Sequence, residues 1–305
     1  MCCLFGLIDS RQRLTGKQKT RILHALATAA EARGTDASGV AFNNSGHLVI
    51  RKAPVPGHKL KTRVSDDTAA IMGHTRMATQ GDAKKVRNDH PFRGSTPAGP
   101  FALAHNGILY NDRLLRGSLP LPNTDIETDS YVAVQLIERK KALDLSTLKY
   151  MAEQVEGSFT FTVLDAANNL YIVKGDSPLY LLHWPKSGIY CYASTEDILR
   201  RALHWAGVSM CGAVKINMDS GELLRIDRFG CIARGNFDDF GTYRRYCSPY
   251  TFDCWFPPAG SMPGHGYVDE LKSVAYSFGY TPEMIDRLIA LGHTPEEIEA
   301  FMYEF

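Results

Sequence analysis

The sequence predicts a layered α+β fold, and three observations support this prediction. The chain has 305 residues, of which 44% are hydrophobic and 22% are charged, as is usual for a globular protein. Apolar strand patterns dominate the region after residue 157, and the helical patterns occur in groups between runs of strands. Such grouping is typical of α+β proteins, whereas single helices alternating with strands would predict a wound parallel sheet.

The first half of the chain carries both strand and helix patterns. Short apolar runs predict strands at residues 4–9, 39–43, 47–51, 69–74 and 101–105, and the second and third of these form a hairpin. Helices are predicted at 17–32, 128–140 and 145–155. In the first helix Ile22, Leu23 and Leu26 share one apolar face, and Gly34 follows its end.

Strands dominate the second half. They are predicted at residues 158–165, 170–174, 179–183, 189–193, 213–218, 223–227 and 231–236. A single helix is predicted at 196–205, between the fourth and fifth of these strands. We expect residues 2–240 to form one domain from these elements and those of the first half.

The C-terminal region differs in composition. Residues 241–266 are predicted to be a linker or docking segment because Pro and Gly are frequent there. Residues 267–305 are predicted to form a small helical module, with helices starting near residues 268, 282 and 295. A Gly-x-Thr-Pro-Glu repeat at 279–283 and 292–296 supports this: each Gly should end a helix, each Thr should cap the next, and each Pro should occupy its first turn. Glu297 should complete a capping box with Thr294.

Charge and composition argue against several classes of protein. The net charge of +1 gives no electrostatic signature for nucleic acid or a membrane surface. The seven cysteines form no CxxC pair, so no disulfide framework is indicated and a reducing cytoplasm is expected. We expect no metal and no cofactor, and we interpret His74, His90 and His105 as structural hydrogen-bond donors because their spacing is wide.

The residue after the initiator methionine carries the first chemical signal. Removal of Met1 would leave Cys2 with a thiol and a free α-amine, whose reference pKa is about 7.7–8.0. A neutral amine beside a thiol is a general base beside a nucleophile. Taken alone, a cysteine in second place is more simply explained by chance.

Four later segments change that interpretation because they supply what amide hydrolysis needs. They are Arg-Gly-Thr-Asp-Ala-Ser-Gly at 33–39, Gly-His-Thr-Arg-Met-Ala-Thr-Gln-Gly at 73–81, His-Asn-Gly at 105–107 and Glu-Thr-Asp-Ser at 127–130. The Asn106 side-chain amide and the Gly107 backbone N–H are candidate donors to an oxyanion. Arg76 suits the carboxylate of an amino-acid substrate, and Asp129 suits its ammonium group.

Each segment has a simpler explanation when taken alone. Arg33 before Gly34 is typical of a helix end. The Asn106–Gly107 pair is typical of a hairpin turn. Asp129 is a favourable charge at a helix start, and Arg76 is suited to a surface ion pair. Only the joint order of the segments after Cys2 favours catalysis.

In that order the segments resemble the class II glutamine amidotransferases, a family of N-terminal-nucleophile hydrolases. The likeness covers about residues 2–236 and is greatest to the glutaminase halves of glucosamine-6-phosphate synthase and glutamine phosphoribosylpyrophosphate amidotransferase. It implies a four-layer αββα sandwich and a thioester on Cys2. It also implies an oxyanion hole at Asn106 and Gly107.

The resemblance further implies the residues that bind glutamine. Arg76, with Thr79 nearby, would hold the α-carboxylate, Asp129 would hold the α-amino group, and Arg33 would order the loops of the substrate site. The sequence departs from the family pattern at three positions, which are Cys3 in place of Gly, Met77 in place of Trp and Gln80 in place of a frequent His. A thiol at Cys3 either supports oxidation to a vicinal pair with Cys2 or is inert.

We therefore expect a cytoplasmic glutaminase subunit that releases glutamate and ammonia from L-glutamine. About seventy residues follow the hydrolase domain, too few for a known acceptor domain, so a separate acceptor or synthetase subunit is the expected partner. Self-association is left open. The alternatives are an amidase for another γ-glutamyl or acyl amide, and a non-catalytic interaction protein on the same scaffold. The C-terminal helices would be a docking element, a lid or a cap over an exposed face.

Overall fold

The predicted α+β class is confirmed by a computed structural model of the chain. The structure describes residues 2–78, 80–82, 84–239, 267–268, 271–272, 275 and 280–302. Its strands are β1 (Cys3–Asp9), β2 (Ala37–Asn44), β3 (His47–Ala53), β4 (Ala70–Arg76), β5 (Phe92–Thr96), β6 (Gly99–Leu109), β7 (Gly157–Asp165), β8 (Leu170–Lys174), β9 (Tyr180–Trp184), β10 (Ile189–Ala193), β11 (Val214–Ile216), β12 (Glu222–Ile226) and β13 (Ile232–Asn236).

Helices cover the outer faces and the C-terminal region. They are α1 (Gly16–Ala29), α2 (Asp112–Ser118), α3 (Tyr131–Lys140), α4 (Leu145–Gln154), α5 (Glu196–Trp205), α6 (Pro282–Ala290) and α7 (Pro295–Met302). Short 3₁₀ helices lie at Ala30–Arg33, Gly57–Lys59 and Val86–Asn88. The first of these continues α1, so the helix predicted at 17–32 ends in a tighter turn.

The described strands form two antiparallel sheets. One has seven strands in the order β11-β9-β10-β1-β4-β2-β3, and the other has six in the order β13-β12-β8-β7-β6-β5. β1 pairs with β4 through Cys3 and Thr75, and with β10 through Phe5 and Ala193. The N-terminal strand is thus central in its sheet, which fixes the start of the chain inside the domain.

Three hydrophobic cores show that the layers run helix, sheet, sheet, helix. Cys3, Phe5 and Leu7 of β1 pack with α1 and α5 on the outer face of the seven-stranded sheet. A second core joins α3 and α4 to the six-stranded sheet. The third core lies between the sheets and includes Leu4 and Ala104. The four-layer αββα sandwich implied by the resemblance is therefore present.

Two elements were absent from the prediction. β5 follows Pro91 and contains Gly94 among polar residues, so it lacks an apolar alternation. α2 is only seven residues long and contains Gly117, a poor helix former. The helix predicted at 128–140 begins later, at Tyr131, because Asp129 is held at the edge of β6 instead of in the first turn.

The C-terminal helices agree with the prediction in most details. α6 and α7 begin at Pro282 and Pro295, and the described residues 267, 268, 271, 272 and 275 are helical. The capping box is confirmed, since the Thr294 N–H donates to Glu297 and the Glu297 N–H donates to the Thr294 hydroxyl. The predicted cap at Thr281 is wrong, because its side chain makes no capping hydrogen bond. The segment 241–266 lies outside the described residues.

Candidate active site

Cys2 lies just before β1 and faces the space between the two sheets. Side chains alternate along a strand, and those of Leu4 and Ile8 point into the core between the sheets. The half-buried Cys2 thiol donates to the Met77 carbonyl at 3.5 Å. Cys2 is next to the Cys3–Thr75 pair of β1 and β4, and Arg76 is the following residue of β4. The predicted nucleophile and the predicted carboxylate anchor are therefore neighbours.

Cys3 differs from Cys2 in its surroundings. It points to the opposite face of β1, into the fully buried core beneath α1, and its thiol donates to the Leu4 carbonyl at 3.3 Å. Burial raises the pKa of the Cys3 thiol to about 11. A protonated thiol on the opposite face favours the inert alternative over a vicinal pair with Cys2.

Arg33 contacts the backbone of the predicted nucleophile. Its side chain is 1% exposed, and its Nε donates to the Cys2 carbonyl at 2.7 Å. Its Nη1 donates to Glu299 of α7 at 2.7 Å. Arg33 is thus no ordinary helix end, and the contacts described for it order Cys2 rather than line a substrate pocket. Its predicted contact with substrate stays a prediction.

Arg76 is buried at the end of β4 and points between the sheets. Its Nη1 pairs with Asp89 at 2.9 Å, and its Nη2 donates to the Gln80 carbonyl at 2.6 Å. The interpretation of Arg76 as a surface ion-pair residue is therefore wrong, because its ion pair with Asp89 is buried. Burial raises the pKa of Asp89 despite the opposing effect of Arg76. Thr79, predicted to lie near the substrate carboxylate, is outside the described residues.

Asn106 and Gly107 lie inside β6, so the hairpin-turn explanation is wrong. Asn106 has the same strand parity as Ala102 and Ala104, so its side chain points into the space between the sheets, as the Cys2 side chain does from the opposite sheet. Its Nδ2 lies 3.3 Å from the Ser194 hydroxyl, which also accepts a hydrogen bond from the Leu4 N–H at 2.9 Å. Ser194 therefore ties the candidate oxyanion donor to the strand that begins beside Cys2.

The Gly107 N–H lies on an open strand edge. β5 pairs with β6 only as far as Leu103, while β7 pairs with it through Leu109. The Leu109 N–H points away from β7 and donates to Asp129. Because N–H groups two residues apart point to the same edge of a strand, the Gly107 N–H also points to the edge of β6 that β7 does not cover. Gly107 has φ of +134°, and a Cβ there would lie 2.0 Å from the Ser158 carbonyl oxygen. Only glycine fits this position.

Asp129 lies at the same open edge. One carboxylate oxygen accepts from the Leu109 N–H at 2.6 Å, and the other accepts from the Ser130 hydroxyl at 3.2 Å. Burial raises the pKa of this carboxyl, while the two hydrogen bonds oppose that shift. A substrate ammonium would supply the positive charge that favours the ionised form.

Three histidines pack beside these groups. The ring centroids of His74 and His90 are 4.3 Å apart, and those of His90 and His105 are 6.4 Å apart. His74 donates from Nε2 to the His105 carbonyl at 2.9 Å, as expected for a structural donor. Burial lowers the pKa of His74 and His105 to about 3, so all three rings are neutral near pH 7. Among the described residues no cluster of side chains is suited to a metal ion.

Comparison with known proteins finds similarity to glutamine amidotransferases. Residues 74–201 match the family model of a glutamine amidotransferase domain. Glutamine–fructose-6-phosphate aminotransferase of Bacillus thuringiensis subsp. konkukian is 33% identical over 187 residues, which is 59% of this chain and 30% of the relative. The homologue from Streptococcus pyogenes serotype M6 is 29% identical over the same share of each chain. This chain thus spans under a third of the curated relatives it matches.

Solved structures confirm the fold. Glutamine phosphoribosylpyrophosphate amidotransferase from B. subtilis, complexed with ADP and GMP, has a TM-score of 0.60 and 21% identity, covering 78% of this chain and 49% of that one. A structure described as the allosteric regulatory enzyme of purine biosynthesis gives a TM-score of 0.62 with the same identity and coverage.

The αββα layers, with a cysteine just before the central strand of one sheet, agree with the fold of these two solved structures. In sequence, residues 74–201 are similar to a glutamine amidotransferase domain, and 59% of the chain is similar to glutamine–fructose-6-phosphate aminotransferase. No helix in the described part of the chain is long and apolar enough to cross a bilayer.

Proposed function

We propose that this protein hydrolyses the side-chain amide of L-glutamine to glutamate and ammonia through a thioester on Cys2. One observation carries the proposal. Cys2 lies just before β1 and Arg76 lies at the end of the antiparallel neighbour β4, while Asn106 points between the sheets from the other sheet and Asp129 lies at the open edge of β6. This arrangement supports the assignment of a nucleophile, an oxyanion donor and two anchors of opposite charge to these four residues.

The first step is attack on the substrate amide. Once Met1 has been removed, the α-amine of Cys2 accepts the thiol proton as the sulfur bonds to the amide carbon. The carbonyl oxygen becomes an oxyanion that accepts hydrogen bonds from the Asn106 Nδ2 and the Gly107 N–H. Removal of one such donor typically costs about 2.7–4 kcal/mol of barrier.

The second and third steps release the products. As the oxyanion collapses, the carbon–nitrogen bond breaks and the α-ammonium of Cys2 returns its proton to the leaving nitrogen, which departs as ammonia. Water, activated by the same amine, then attacks the thioester. The carbon–sulfur bond breaks, glutamate is released, and the thiol regains its proton.

Charge complementarity supports a free amino acid as the substrate. Arg76 has five N–H donors, and its hydrogen bonds to Asp89 and the loop carbonyls leave others to bind an α-carboxylate. Asp129 would pair with the α-ammonium, and Thr79 would assist Arg76, as the family resemblance implies. Arg33 would act on the site by holding the Cys2 carbonyl.

The test combines intact mass with labelling by a glutamine-like diazo-ketone. The purified protein should lack Met1 and carry a single adduct on Cys2, and Cys2→Ala should have no glutaminase activity. Cys3→Ala is the matched control because Cys3 is a buried thiol on the opposite strand face. It should retain activity and labelling. Full turnover by a protein that keeps Met1 would contradict the proposal.

We also propose that the ammonia passes to a separate acceptor enzyme and that the protein is cytoplasmic. The sequence relatives are named as enzymes that transfer an amino group to fructose 6-phosphate, which supports the use of the nitrogen in synthesis. Affinity purification from the native cell should recover an acceptor enzyme that stimulates glutaminase turnover. Full activity of the isolated chain, with nothing recovered, would argue against it.

A second candidate is an amidase for a substituted γ-glutamyl amide. It is favoured by Met77, which packs against the C-terminal helices and replaces the Trp of the family pattern. A different packing there would alter the part of the pocket beyond the amide. Comparing kcat/KM for glutamine with that for N-substituted glutamines distinguishes the two substrates.

A further inference from the structure

α7 is joined to the site by a buried ion pair. Glu299 of α7 accepts a hydrogen bond from the Arg33 Nη1 at 2.7 Å, and the Tyr267 hydroxyl donates to the same carboxylate oxygen. Arg33, Glu299 and Tyr267 are 1%, 2% and 3% exposed. A buried guanidinium needs a carboxylate partner, so the orientation of Arg33 depends on α7 being in place.

Arg33 passes this constraint to the predicted nucleophile. Its Nε donates to the Cys2 carbonyl at 2.7 Å, while its Nη1 is held by Glu299. The guanidinium is planar and rigid, so fixing one edge fixes the direction of the other. This hydrogen bond fixes the peptide plane that joins Cys2 to Cys3, and with it the Cα atom that carries the sulfur and the α-amine of Cys2.

A second contact reaches the other side of Cys2. Met77 packs against the apolar cluster of the C-terminal helices, whose buried members are Tyr267, Leu271, Ala275, Ile285, Ile298 and Met302. The Met77 carbonyl accepts the hydrogen bond of the Cys2 thiol. The C-terminal helices therefore contact two residues that each bind Cys2, one through its carbonyl and one through its thiol.

We propose that Glu299 is a positioning residue for Cys2, acting through Arg33, so that docking of α7 sets the catalytic competence of the glutaminase site. This inference rests on the proposed function. The C-terminal helices would then be part of the active enzyme. A partner that displaced α7 would lower glutamine turnover.

The proposal predicts a kinetic effect confined to turnover. Glu299 contacts neither Arg76 nor Asp129 in the contacts described, and these two groups are the proposed anchors of glutamine. Loss of Glu299 should lower kcat because the sulfur and amine of Cys2 lose their alignment. The KM for glutamine should change little. A variant that merely reduced the folded fraction would lower the apparent enzyme concentration in proportion to that fraction.

The experiment measures kcat and KM for glutamine in three full-length variants, with urea unfolding to determine the folded fraction of each. Glu299→Ala should lower kcat about tenfold or more, equivalent to ~1.4 kcal/mol. Glu299→Gln should lower it about threefold or more, because an amide oxygen accepts from Arg33 more weakly than a carboxylate. Glu296→Ala is the matched control, since Glu296 is an exposed acid in the same helix, and its kcat should stay within about twofold of wild type.

The outcomes separate this inference from the proposed function. If wild type neither turns over glutamine nor takes a label on Cys2, the proposed function fails. If wild type is active and a folded Glu299→Gln variant keeps the wild-type kcat, the positioning role is wrong, even if Glu299→Ala does not fold. An increase in KM at unchanged kcat would also overturn it, because it would place Glu299 in substrate binding.

Discussion

At the scale of single residues, Ser194 is the clearest addition to the predicted site. Its hydroxyl is 1% exposed and lies between the Leu4 N–H and the Asn106 side chain, one in each sheet. It belongs to none of the motifs that identify the site in the sequence. A lone serine after a strand carries no functional signal, and its importance follows only from the packing of β10 between β9 and β1.

Replacing Ser194 with Ala should slow catalysis. Asn106 would lose a hydrogen bond that orients its amide, and we expect kcat to fall about tenfold, or ~1.4 kcal/mol, with little change in KM. Ser38→Ala is a suitable control, because Ser38 is an equally buried serine in the same sheet that bonds to the Val55 carbonyl. Steady-state kinetics would refute the role if both variants had equal kcat.

Gly107 should be irreplaceable for steric reasons. A Cβ would meet the Ser158 carbonyl at 2.0 Å, and the residue has a positive φ. Gly107→Ala should therefore destabilise the fold by about 3 kcal/mol. Gly117→Ala provides the contrast, since nothing lies within 4 Å of its added Cβ in α2, and it should stabilise by up to about 1 kcal/mol. Urea unfolding measures both, and equal effects would contradict the steric argument.

At the scale of elements, the sequence patterns predict most strands and helices but not the contacts between them. The motifs around Cys2, Arg76, Asn106 and Asp129 were recognisable because each has several characteristic residues in a row. Asp89 and Glu299 stand alone in the sequence. The Arg33–Glu299 pair joins residues 266 positions apart, so local patterns contain no information about it.

The two Thr-Pro-Glu sequences provide a comparison of caps on similar helices. Thr294 makes a capping hydrogen bond to Glu297, whereas Thr281 makes no side-chain cap. Thr294→Ala should destabilise α7 by about 1 kcal/mol and speed amide exchange there about fivefold. Thr281→Ala should leave exchange in α6 nearly unchanged. Hydrogen exchange followed by mass spectrometry tests both, and equal acceleration would show that the caps are equivalent.

At the scale of the whole molecule, three buried, uncharged histidines form a row that extends from the space between the sheets to the outer face of the six-stranded sheet. His90 packs between His74 and Phe92, and its burial, with smaller effects from the positive charges of Arg76 and Lys52, opposes its protonation. Burial holds the pKa of all three rings well below the unfolded value of about 6.5. The packing around these three rings thus depends on keeping them neutral.

The lowered histidine pKa values predict that the free energy of unfolding decreases as the pH falls. Between the unfolded pKa near 6.5 and the folded pKa of about 3 for His74 and His105, the unfolded chain binds more protons than the folded protein. Stability is therefore complete above about pH 6.5 and decreases as the pH falls toward 3. Each histidine contributes up to about 1.4 kcal/mol per pH unit. The raised pKa values of Asp89 and Asp129 act in the opposite direction.

His90→Phe isolates the effect, because it keeps an aromatic ring against Phe92 and removes one titrating group. Below pH 6.5 the wild-type protein should lose more unfolding free energy than the variant, by up to about 1.4 kcal/mol per pH unit. The carboxyl contributions are present in both proteins and cancel in this difference. Urea unfolding across that range measures it. Parallel pH profiles would show that His90 is accessible to protons in the folded state, and the proposal that this ring is held neutral would be wrong.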